Sequence, residues 1–136
     1  MAFMNSEHFF KRVTDDSLII VSCRLDKDPL SLALDTGASH TTIDMTPMLM
    51  AGYEITDALS IEKIETASGI IDAYVFVLKE FRCIGIVRNN FKLCAYDFFA
   101  YHYLTDFDGV IGLNFFAGTK FCVDMNLNKI TITSSE

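Results

Sequence analysis

The chain has 136 residues, 51% of them hydrophobic and 21% charged, enough apolar material for one compact domain and too little length for two. With 7 Gly and 2 Pro against 12 Phe and 5 Tyr, it is neither low-complexity nor disordered. Eighteen acidic and eleven basic residues give a formal charge of −7, and no basic run exceeds Lys11-Arg12, so nucleic acid has no platform to bind.

The longest apolar run, Ala73 to Leu78, is far shorter than the roughly 20 residues of a membrane-spanning helix, so no membrane partner is expected. Met1 to Val13 lacks the basic start and apolar stretch of a signal peptide, and the expected location is cytoplasmic. Residues 1–11 and 134–136 read as loose ends around a core of about 13–133 in a single domain.

Ser17 to Leu25 is rich in Leu, Ile and Val and ends at Asp26-Lys27-Asp28-Pro29, predicting a strand followed by a turn. Leu30, Leu32 and Leu34 then alternate with smaller residues, which puts three leucines on one face of a second strand and Asp35 at its end. Thr36-Gly37-Ala38-Ser39 reads as a tight turn in which Gly37 supplies backbone angles closed to other residues. A short strand follows over Thr41 to Asp44. Next comes a short helix capped by Thr46, with Pro47 at its first position and Gly52 as its stop.

Ile61 to Leu78 reads as a hairpin around the small polar tip Thr66-Ala67-Ser68-Gly69, its second arm from Ile70 to Leu78 apolar on both faces and expected to be buried. Phe81 to Val87 and Phe91 to Tyr96 suggest another hairpin turning at Arg88-Asn89-Asn90. Asp97 to Phe107 is aromatic and irregular. Gly109 to Gly112 is an apolar segment with Val110 and Ile111 as core, and Leu113 to Thr119 is a helical turn or two. The chain closes as a hairpin, Phe121 and Val123 on one arm, Ile130 and Ile132 on the other, about Asn126 to Lys129.

Cys23, Cys83, Cys94 and Cys122 each sit in an apolar stretch with no zinc-type spacing; they read as buried free thiols, with a disulfide or redox role as the other reading. His8, His40 and His102 have neither metal-ligand spacing nor a visible nucleophile partner, and His40 alone lies near Asp35. Neither a metal nor another cofactor is expected. Asp106-Phe107-Asp108-Gly109 lacks the companion motifs of a kinase or calcium loop and reads as a turn.

Asp35-Thr36-Gly37 stands out because an Asp at a strand end, with a small turn behind it, leaves room for a substrate backbone to reach its carboxylate. A bare triplet of this kind is weak, but here alternating leucines precede it and β-prone Thr41-Thr42-Ile43 follows. The segment from Leu32 to Asp44 resembles the active-site segment of aspartic peptidases of the retroviral, retropepsin-like type. About 75 residues on, Val110 to Phe116 resembles that family's hydrophobic-hydrophobic-Gly segment and following helix. Phe121 to Asp124 and Lys129 to Ile132 resemble the closing strands of its bacterial and retroelement members.

The resemblance implies an all-β, closed barrel with a flap hairpin and one or two short helices. It also implies a homodimer, since the retroviral type carries one Asp motif per chain and this chain has one. Asp35 from each copy would then hydrolyse peptide bonds in a peptide or protein substrate through an activated water. Thr36 has two readings, a hydroxyl satisfying its own turn or one interlocking the two copies. Gly37 admits substrate close to the carboxylate, Ala38 matches the retroviral pattern, and Ser39 replaces the acidic residue of retroviral members. Gly112 lets the chain pass beneath the active-site loop. Thr66, Ala67, Ser68 and Gly69 fall where the family carries its flap, an ordinary surface hairpin being the other reading. The alternative function is a catalytically inactive module of the same fold that dimerises or binds peptide.

Overall fold

The computed structural model describes residues 3–66, 69–101 and 105–135. Ten strands, one α-helix and two 3-10 turns make up these segments. The second to fourth strands are β2 (Ile20–Leu25), β3 (Asp28–Leu34) and β4 (Thr42–Asp44), after β1 (Phe3–Phe9). Helix α1 (Met45–Met50) precedes β5 (Ser60–Thr66), β6 (Gly69–Cys83), β7 (Ile86–Tyr96), β8 (Gly109–Ile111), β9 (Thr119–Asp124) and β10 (Lys129–Ser135).

Six strands close on themselves in the order β2-β3-β8-β4-β7-β6, because β2 also pairs with β6 through Cys23↔Cys83, Arg24↔Arg82 and Leu25↔Phe81. Closure removes the open edges that would otherwise invite aggregation. Alternation along β2 turns Val21, Cys23 and Leu25 inward, and on β3 Leu30 and Leu32 are buried and Leu34 half-buried on the face the sequence pattern predicts for its leucines. The core is aromatic at its centre: Phe81 stacks on Phe91 at 5.0 Å, and Phe115 meets both edge-on at 5.4 and 5.8 Å. Strand β5 lies outside the ring, paired only to β6, so the β5–β6 hairpin projects from the barrel.

Several expectations need correction. The N-terminal segment is not loose: β1 pairs with β10 over seven residues, from Phe3↔Ser135 to Phe9↔Lys129, and Phe10 is buried in the core. With β9 these strands form a separate sheet that packs Ile130 and Ile132 onto the barrel. The hairpin placed at Arg88-Asn89-Asn90 turns instead at Ile84-Gly85, both at positive φ (41° and 76°), as a two-residue hairpin turn requires. Arg88 is inside β7, and its guanidinium donates to the carbonyls of Phe115 and Ala117.

Helix α1 starts two residues earlier than expected, after Asp44, so that Pro47 is its third residue. Proline is tolerated there because no first-turn N–H has a partner within the helix. Gly52, at φ 98°, does follow the helix end. On β6 the burial expected throughout Ile70 to Leu78 fails at Ile70, which is 71% exposed on the projecting hairpin, at Asp72, which is exposed and ion-paired to Lys63, and at the exposed Val77. Cys122 is exposed, whereas the other three cysteines are buried and free.

Candidate active site

Strand β3 delivers Asp35 to the mouth of the barrel. Its last residue, Leu34, pairs in parallel with Ile111 of β8, and the Asp35 N–H donates to the Ile111 carbonyl at 3.1 Å. The chain then turns sharply, with the Ala38 N–H donating to the Asp35 carbonyl at 3.2 Å. One carboxylate oxygen, Oδ1, accepts the Gly37 N–H at 2.9 Å, which fixes the side chain at the turn. A Cβ on Gly37 would stand 3.2 Å from that oxygen, tighter than nearly all real contacts. A side chain here would therefore crowd the carboxylate, and the unusual backbone angle the sequence suggested is not used: Gly37 is not among the positive-φ residues.

The loop is held from below by the segment after β8. Leu113 N–H donates to the Ala38 carbonyl at 2.8 Å and Asn114 N–H to the Ser39 carbonyl at 3.2 Å. Gly112 passes so close that a Cβ there would lie 2.6 Å from the His40 carbonyl and 2.8 Å from that of Ala38. Thr41, a fully buried polar side chain, accepts the Gly112 N–H on its hydroxyl at 3.1 Å and donates that hydroxyl to Asn114 Oδ1 at 2.9 Å. The same Oδ1 accepts the Thr41 N–H at 2.8 Å, while Asn114 Nδ2 donates to the Lys92 carbonyl of β7 at 2.9 Å. Buried groups of this kind are stable only when each has a partner, so the network fixes the loop in one place.

Asp35 opens onto a cavity of about 670 Å3 lined also by Gly37, Ala38, Ser39 and His40. Ser39 and His40 are exposed, and Ser39 Oγ lies 2.9 Å from His40 Nδ1. Glu62, Ile64 and Thr66 of β5 form one wall, with Ile71 of β6 beside them. Tyr96, Phe98 and Tyr101 form another, their rings in contact at 4.6 Å (Tyr96 to Phe98) and 5.7 Å (Tyr96 to Tyr101). Thr36 is exposed beside the cavity, and its hydroxyl has no partner among the described residues.

Of the residues expected at the site, Asp35, Thr36, Gly37, Ala38, Ser39 and Gly112 are therefore together at one barrel mouth. Thr66 and Gly69 face each other at the hairpin end, with the Thr66 hydroxyl donating to the Gly69 carbonyl at 2.9 Å; Ala67 and Ser68 lie outside the described residues. Sequence reasoning missed Thr41 and Asn114, whose partnership spans 73 residues and leaves no local signal. It also placed Val110 in the core, whereas this half-buried side chain lines the cavity. The aromatic density of Asp97 to Phe107 was the visible trace of the second wall. Asp108 is structural: its Oδ2 accepts the Ser31 N–H at 2.9 Å and its carbonyl the Asp44 N–H at 2.8 Å, tying β3 to β4.

Comparison with known proteins agrees with this geometry. No curated protein matches the sequence. The structure is similar to the crystal structure of a retropepsin-like aspartic protease from Rickettsia conorii. The TM-score is 0.71 at 18% identity over 98% of this chain and 94% of that one, a likeness of fold. The sequence profile of the aspartyl protease family matches residues 21–115, which span the Asp35 loop and the Gly112 segment that supports it. On that match the chain belongs to the aspartyl protease family, built on the retropepsin-like barrel.

Proposed function

We propose that the chain is a homodimeric aspartic endopeptidase in which Asp35 from each copy meets across a twofold axis. The observation that carries this reading is the Asp35 carboxylate, held by the Gly37 N–H and opening onto a cavity of about 670 Å3. The hydrolysis needs two such groups. Two carboxylates a few ångström apart in a shielded cleft cannot both ionise readily and share one proton, behaviour established for aspartic proteases in general. The ionised copy takes a proton from water, which attacks the scissile carbonyl carbon, while the protonated copy donates to the carbonyl oxygen. Collapse of the tetrahedral adduct passes a proton to the leaving amine, with no covalent enzyme intermediate.

Exposure of Thr36 and of Leu113, which sits beside Ala38, supports a partner surface next to Asp35. The β5–β6 hairpin serves as the flap, with Ile64, Thr66 and Ile71 toward the cavity, closing over bound peptide and excluding water. Strand β10 lies between β1 and β9, so its own edges are not available to a partner. Pairing runs through the Asp35 loop instead.

The test is cleavage of a mixed peptide library by wild type and Asp35→Asn from acidic to neutral pH, with pepstatin-type inhibition and solution mass recorded alongside. The substitution should lower cleavage by at least about 10³-fold while leaving the fold intact. Equal cleavage by both proteins contradicts the assignment of Asp35; silence in both, from a folded dimer, favours a peptide-binding module.

A further inference from the structure

Cys23 and Cys83 face each other directly across the β2–β6 seam that closes the barrel. In an antiparallel pair, positions alternate between those that exchange backbone hydrogen bonds and those that do not. The Asp26 N–H donates to the Glu80 carbonyl at 2.9 Å, one residue beyond the Leu25↔Phe81 end of that seam, which makes 26/80 a hydrogen-bonding position. Counting back, Arg24/Arg82 is another, and Cys23/Cys83 is a non-hydrogen-bonded pair. Such pairs bring Cα atoms to about 4.5 Å with their side chains on the same face. A disulfide spans Cα separations of roughly 4.4–6.8 Å. Each thiol lies near a β2 carbonyl, Cys23 Sγ 3.9 Å from that of Val21 and Cys83 Sγ 3.6 Å from that of Ser22.

A second, independent feature concerns access. Both cysteines are nearly fully buried toward the core, yet both border a groove of about 700 Å3 between β1 and the β2–β6 seam, which His8 and Ile84 also line. The seam itself is the shortest antiparallel contact of the ring apart from β4–β8, with only three register pairs. From the register and the groove we infer that Cys23 and Cys83 form a redox-dependent disulfide that staples the barrel closed.

The step balances as thiol–disulfide exchange. One cysteine thiolate attacks a low-molecular-weight disulfide, giving a mixed disulfide and one small thiol; the second cysteine displaces the other small thiol, and both cysteine protons leave with the products. The hydrogen bond to Cys83, followed by burial, pushes the Cys23 thiol well above the ordinary range, which makes attack slow in the folded chain. The bond therefore forms while the barrel assembles and is slow to form afterwards. Closing the long loop from residue 23 to residue 83 restricts the unfolded chain and raises stability.

The experiment refolds the full chain in a buffer of oxidised and reduced glutathione, and in parallel under reductant. Intact mass, peptide mapping and thermal melting are then compared. The expected product is lighter by about 2 Da, its linked peptides carrying Cys23 and Cys83. Its melting temperature should exceed that of the same chain under reductant by at least about 5 °C. A Cys94→Ser, Cys122→Ser double variant should keep both the bond and the shift. Four free thiols after oxidative refolding, or a bond mapped to any other pair, would overturn the inference. So would a mapped Cys23–Cys83 bond that leaves melting unchanged. Each readout is independent of peptidase activity, so failure here and failure of the proposed function are separate results.

Discussion

Thr41 is the residue on which the geometry of the Asp35 loop most depends, although it performs no chemistry. Its hydroxyl joins the loop to both the Gly112 N–H and Asn114 Oδ1. Replacing it by Val keeps the shape but strands a buried N–H, which costs about 1–3 kcal/mol. Thr41→Val should lower the urea midpoint by a corresponding amount and reduce cleavage in parallel, whereas Asp35→Asn should affect cleavage alone. Equal stability of Thr41→Val and wild type in urea titration would show that the network is not holding the loop. None of this is legible locally. Asp35 and Gly112 announce themselves through short motifs, but Thr41 and Asn114 meet only because β8 lies against β3 and β4.

At the scale of elements, legibility followed how local the determining interaction is. The β5–β6 and β9–β10 hairpins carry small or polar tips between β-prone apolar arms, and both form as expected. The β6–β7 turn escaped notice because Ile84, a β-branched residue, occupies a positive φ that such residues rarely adopt. Strand β1 was missed because its partner β10 lies at the opposite end of the chain.

One inter-element tie has a measurable pH signature. The Tyr53 hydroxyl, beyond α1, donates to Asp26 Oδ2 at 2.8 Å, and Asp26 Oδ1 accepts the Glu80 N–H of β6 at 3.2 Å. Burial, then the hydrogen bond to Asp26, raises the Tyr53 phenol from 10.0 to about 12. The folded state thus favours the neutral phenol, so its contribution is complete below the unfolded value and is lost as pH rises through the folded one. Stability of the wild type should fall more steeply than that of Tyr53→Phe between pH 10 and pH 12, as read by urea midpoints. Parallel curves would remove the tie from the account.

At the scale of the whole molecule, the barrel places one Asp35 at the mouth of one cavity. Asp35 sits at the mouth of a closed ring of six strands, and the end of the β5–β6 hairpin projects from that ring because β5 pairs only with β6. Among the described residues no helix is long and apolar enough to cross a membrane. What the isolated chain lacks, for the chemistry proposed, is a second Asp35, and a second copy provides it at no cost in sequence length.

Mixing tests this most directly. Wild type is unfolded and refolded together with a ninefold excess of Asp35→Asn, and cleavage is compared with that of the same amount of wild type refolded alone. If each active unit takes one Asp35 from each chain, random pairing leaves few wild-type pairs, and cleavage should fall about tenfold. Cleavage unchanged by the excess would mean that one chain suffices, and would contradict the shared site.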